Sequence, residues 1–162
     1  MARHGKVFIE ATVVSMLVAR RSRDSIIARR QAFTRAWWRV RDDFERFTSW
    51  GVRDEAALGD PREVQKRLAV IRLMRAVAVT TEAEQLAGEI LAKGILPEKA
   101  RTDAIHLATA MVHGIQVVLR WNFRHLANVD IVVRISRWAK EKPYNVPVIT
   151  TPEVLLGSLY EE

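Results

Sequence analysis

Glu10, Glu55, Asp103 and Asn122 are far apart in the chain, yet each borders an apolar run that reads as buried structure. Glu10 closes "KVFIE", Asp54 and Glu55 close "SWGVRDE", and Asn122 follows "VVLRW". Asp103 lies in the first two turns of the helix that leads into that last segment. An acid at the end of an apolar strand is costly without a partner. Three carboxylates in one cleft repel one another, and their pKa values rise unless a cation lies among them. The cation that suits an all-oxygen site is Mg2+ or Mn2+, which keeps several waters and binds a phosphate readily. An ion so held activates water and stabilises charge on a phosphodiester under attack. Glu10, Glu55 and Asp103 are therefore the candidate metal ligands, and with Asn122 they form the candidate catalytic set.

Each residue also has a plainer reading. Asp103 is placed where a helix dipole favours any acid. Glu55 adjoins Asp54, and either serves as a solvated loop acid. Asn122 is a common turn residue that bonds its own backbone. His106 follows Asp103 on the same helical side and reads as a buried, hydrogen-bonded histidine. His125 and Asn128 read as residues that orient the loop after Asn122. The four histidines show no zinc-ligand spacing. Period-two alternation puts Arg120 on the side of Asn122. There its fixed charge either competes with a cation or grips a substrate phosphate.

The elements that must gather these side chains alternate between strand and helix. "KVFIE" is a first strand and "TVVSMLVA" a helix. Asp24 to Phe47 reads as one long helix, with Ile26, Ile27, Phe33, Trp37, Val40, Phe44 and Phe47 at helical spacing. "SWGVRDE" reads as a second strand. Asp60, Pro61 and Glu63 start a helix that runs to about Met74. "AVAVT" is a third strand, and Thr81 with Glu84 opens a helix ending near Gly94. Pro97 to Gly114 is helical, "VVLRW" is a fourth strand, and "FRHLANVDIVVRISRWAKE" is helical again. "VPVIT" is a fifth strand, followed by a helical turn from Thr151-Pro152-Glu153. This alternation predicts an α/β fold with a parallel sheet and helices on both faces. Ligands of such sheets collect beyond the carboxyl ends of the strands, where strand order reverses.

The bulk properties agree with one domain spanning residues 1–162. The formal charge of +7, from 26 basic and 19 acidic residues, points to an anionic partner, nucleic acid first. Arg20, Arg21, Arg23, Arg29, Arg30, Arg35, Arg39 and Arg41 crowd one stretch with Asp24 the only acid among them. Of these, Arg20, Arg21 and Arg23, together with Arg120, are the candidate substrate-binding residues. Trp37 and Trp38 cannot share one helix face, so one belongs to the core and the other is available to an interface or a base. Cysteine is absent, which excludes disulfides and thiolate metal sites and fits a cytoplasmic protein. Glu10 interrupts the apolar stretch Val7–Ala19, against a signal-peptide core. No apolar run reaches the ~18 residues of a bilayer span.

Four segments then carry a resemblance. "VFIEATVVSMLVARRSRD", "RDEAALGDP", "KARTDAIHLATAMVHGIQVVLRWNFRHLANV" and "VITTPEVLLG" resemble the successive motifs of PIN-domain proteins, in particular the bacterial group related to the VapC toxins. The resemblance covers nearly the whole chain in order. It implies a PIN-like three-layer α/β/α fold with a central parallel sheet of about five short strands. It further implies a Mg2+- or Mn2+-dependent ribonuclease, often a homodimeric toxin neutralised by an antitoxin. It maps Glu10, Glu55, Asp103 and Asn122 onto the metal-site positions. Ala11, Gln116 and Arg120 depart from the motifs, where Thr or Ser, Asp and Thr respectively are usual. Arg120 opens an alternative: a degenerate fold that binds RNA or a protein partner without cleaving it.

Overall fold

The computed structural model describes residues 4–122 and 128–160. The first strand, β1 (Lys6–Ile9), sits at the centre of the sheet, and its side chains show why. Val7, Phe8 and Ile9 are wholly buried, so both of its faces must be covered. Val7 and Ile9 point into one layer, with Val13, Val14 and Trp37. Phe8 points into the other, with Phe47, Ala110 and Val118. The period of two thus builds two cores from one strand.

Along the chain, α1 (Ala11–Val18), α2 (Ser25–Arg39), β2 (Glu45–Ser49), α3 (Trp50–Ala56), α4 (Pro61–Ile71), β3 (Arg75–Val77) and α5 (Thr81–Ala92) come next. Then follow α6 (Arg101–Val112), β4 (Val117–Leu119), α7 (Val129–Ala139), β5 (Val148–Thr150) and α8 (Pro152–Tyr160). All five strands are parallel, in the order β3-β2-β1-β4-β5. Side chains from α1, α2, α4 and α8 share the core on the Val7 and Ile9 side. The opposite layer is built around α5, α6 and α7, through Leu86, Ile90, Leu107 and Trp138. This is the three-layer α/β/α fold expected from the alternation. Among the described residues no helix is long and apolar enough to cross a membrane.

Three expectations are corrected. The long helix from Asp24 stops at Arg39 and does not reach Phe47. Asp24 caps it, accepting from the Ile26 and Ile27 amides. A short 3-10 turn at Arg41–Asp43 then redirects the chain into β2. Phe44 and Phe47 are buried, but in different cores, so their apparent helical spacing is coincidental. The second strand is accordingly "ERFTS", and "WGVRDEA" is helical. Ser49 is the cap of that helix, its hydroxyl accepting from the Val52 amide at 3.2 Å. The cap of α5 is Thr80, accepting from Ala83, one residue before the expected Thr81.

Gln116 lies at the amino end of β4, away from the strand tips where ligands collect. Its side-chain carbonyl accepts from the Lys6 amide at 2.7 Å. The departure from Asp at this position therefore concerns the start of the sheet. Gly5 turns into β1 at a φ of +83°, and a side chain there would strike Gln116.

Candidate active site

Strand order reverses between β1 and β4: β2 and β3 lie to one side of β1, while β4 and β5 lie to the other. Ile9 pairs with Leu119 at the carboxyl end of this central pair. The next residue on each strand is Glu10 or Arg120. Their amides still follow the ladder, Glu10 donating to the Leu119 carbonyl and Arg120 to that of Thr150. The two side chains therefore leave the sheet side by side, at the crevice where α/β folds bind ligands.

Glu10 precedes α1 but makes no capping bond with its side chain. It is buried, at 4% exposure. Its Oε1 lies 3.1 Å from His106 Nδ1, and its Oε2 lies 3.3 Å from Arg120 Nε. His106 and Asp103 stand one turn apart on α6, so both reach the same crevice. His106 Nε2 lies 3.2 Å from Glu55 Oε1. Arg120 Nη2 lies 2.9 Å from Asp103 Oδ1. Glu55 comes from α3 rather than from a strand end, and its side chain is the most exposed of the three acids. Asp54 is exposed and takes no part in these contacts.

The structure thus gathers Glu10, Glu55 and Asp103 into one ion-pair network with two cations among them. Both ring nitrogens of His106 face carboxylates, an arrangement that only the imidazolium satisfies with two donors. Burial is the strongest single influence and opposes that charge. The hydrogen bonds and charges of Glu10 and Glu55 together outweigh it and raise the pKa from 6.5 to about 9. The burial and hydrogen bonding read for His106 are present, as the bridge between two of the candidate acids.

Beside the network lies an open cleft of about 700 Å3, whose walls include Thr12, Ser15, Arg30, Glu55, Trp121 and Asn122. Glu55 connects the buried charges to this space. Trp121 is fixed by two bonds, its amide to Thr12 Oγ1 at 3.1 Å and its indole N–H to Thr34 Oγ1 at 2.8 Å. The Arg30 guanidinium stands 5.6 Å over the Trp121 ring. Asn122 is exposed on the cleft wall. Arg120 is 4% exposed, and because β4 ends at Leu119 the strand alternation does not extend to Asn122.

Arg20, Arg21 and Arg23 are exposed on the connection between α1 and α2 and are not part of the cleft wall. Arg30 is the arginine of that stretch which reaches it. The sequence marks it only as one of a basic group, since its partner Trp121 is 91 residues away in the chain. Trp37 is core, and Trp38 is half-buried beneath Arg41. The tryptophan left exposed is Trp50, at 52%, with Arg53 stacked on it. Asn128 caps α7, accepting from Asp130 and Ile131. His125 lies outside the described residues.

The Mg2+ or Mn2+ implied by the resemblance does not fit this arrangement as it stands. Among the described residues no three ligating side chains are grouped to hold an ion. Each of the three acids is already engaged by Arg120, His106 or both.

A five-stranded parallel sheet of this order, covered by helices on both faces, is a PIN-like α/β/α fold. A solved structure of similar fold is Mycobacterium tuberculosis VapC20, a sarcin-ricin loop cleaving toxin, which aligns at a TM-score of 0.57 and 22% identity over 75% of this chain and 94% of that chain. The two share a fold. No protein-family model matches this chain, and no curated protein matches it.

Proposed function

We propose that this protein is a ribonuclease of the VapC toxin type, hydrolysing RNA phosphodiesters at the cleft beside Glu55. The observation that carries this reading is the convergence of Glu10, Glu55 and Asp103 at the reversal of strand order, on a fold shared with an RNA-cleaving toxin. The net charge of +7 suits a polyanion. Within the cleft, Arg30 is positioned for a backbone phosphate and Trp121 and Asn122 for a base or sugar. Hydrolysis adds water across one P–O bond and leaves a phosphate monoester and a hydroxyl. His106 holds Glu10 and Glu55 in place while Glu55 meets the solvent of the cleft. A cognate antitoxin would mask this same cleft.

The test is cleavage of a labelled single-stranded RNA by purified protein in Mn2+, Mg2+ or EDTA, with Asp103→Asn alongside. Cleavage that requires the ion and disappears in the variant supports the proposal. Cleavage that survives Asp103→Asn comes from another site or another protein. The ion pairs of Arg120 favour a second reading, RNA or partner binding without cleavage. RNA binding that ignores EDTA, with no cleavage in any ion, selects that reading.

A further inference from the structure

We infer that Arg120 is a tethered cation that competes with divalent ions for Glu10 and Asp103, and so sets the metal affinity of the site. The inference rests on reading these carboxylates as the reactive centre. Arg120 spans two of the three acids, through Nε at 3.3 Å from Glu10 and Nη2 at 2.9 Å from Asp103. The guanidinium is a delocalised cation tethered to the strand end, so the competitor is part of the chain itself. A divalent ion approaching the same oxygens meets that charge inside a buried crevice, where repulsion is poorly screened. Glu10 and Asp103 carry two negative charges, of which Arg120 offsets one; loss of Arg120 leaves both, the number a divalent ion neutralises.

The seat of Arg120 is also incomplete. Its Nε and Nη1 are buried and have no hydrogen-bond partner with sound geometry among the described residues. The contact to Glu10 is therefore an ion pair by distance without a well-directed hydrogen bond. An arginine retained purely to brace the fold would use more of its five donors. This one meets Glu10 and Asp103 as ion pairs by distance, and both are acids that a metal would share.

The experiment measures binding of Mn2+ alone, without RNA, to metal-stripped protein by calorimetry and by the shift in Tm. Wild type, Asp103→Asn, Arg120→Thr, Arg120→Gln and the double variant Arg120→Thr/Asp103→Asn are compared. The expected result is weak binding by wild type and binding at least about tenfold tighter in Arg120→Thr, equivalent to about 1.4 kcal/mol. That variant should melt below wild type in EDTA and gain more from Mn2+, with the gain lost in the double variant. Arg120→Gln removes the charge while keeping more of the side-chain volume, and serves if Arg120→Thr does not fold. Equal Mn2+ affinity in wild type and in the neutral variants overturns the inference, as does no binding in any of them. Tight binding by wild type that Asp103→Asn abolishes overturns it without any Arg120 variant. Failure of RNA cleavage with the predicted Mn2+ affinities intact counts against the nuclease reading alone.

Discussion

His106 makes the stability of this protein fall as the solution turns alkaline. Its pKa in the folded chain, about 9, lies above the ordinary 6.5. Between those values the folded chain keeps a proton that the unfolded chain has released. Stability then declines with rising pH at about 1.4 kcal/mol per unit. The contribution is complete below pH 6.5 and has gone above about 9, a total of about 3 kcal/mol. Against the roughly 5–15 kcal/mol typical of a whole domain, that loss is easily measured. The window is free of thiol titration because the chain has no cysteine, and tyrosine and lysine titrate near 10 or above. Urea unfolding with EDTA present, at intervals from about pH 6 to about pH 9.5, reads the slope directly. His106→Gln should lower stability at neutral pH and flatten the profile. A flat wild-type profile, or a variant that keeps the slope, refutes the claim that a charged His106 bridges Glu10 and Glu55.

Further outcomes follow from neighbouring contacts. Glu10→Gln leaves Arg120 and His106 each short of a buried counter-charge; chemical denaturation should show a loss of about 3 kcal/mol and a shallower alkaline slope. Thr34→Val preserves shape but strands the buried Trp121 indole N–H, which now donates at 2.8 Å; the expected cost is about 1–3 kcal/mol by the same assay. Arg30→Ala removes an exposed cation from the cleft wall. It should leave unfolding within about 0.5 kcal/mol of wild type, weaken RNA binding, and reduce the dependence of log affinity on log salt by about 1. An unchanged salt slope would mean that RNA does not pass Arg30.

Which parts of this protein could be read from the chain depends on the range of the interactions involved. The parallel α/β/α architecture is legible because β1 and β4 are short apolar runs and strands alternate with helices along the chain. Asp24, Asp60 and the glycines at 94 and 114 mark helix ends through bonds and dihedrals that span only a few residues. The misreading of 40–56 has the opposite cause. Phe44 and Phe47 are spaced for a helix, and only their burial in two separate cores makes one a turn residue and the other part of β2. Glu10 and Asp103 were identifiable as acids at the ends of elements that had to meet. Their engagement by Arg120 and His106 was not, since those contacts close across loops of 17 to 110 residues. Local sequence therefore determined which side chains come to the reversal of strand order. Only the tertiary structure decided that two of them are cations placed between the carboxylates, because the charge at a buried point is the sum over every element that reaches it.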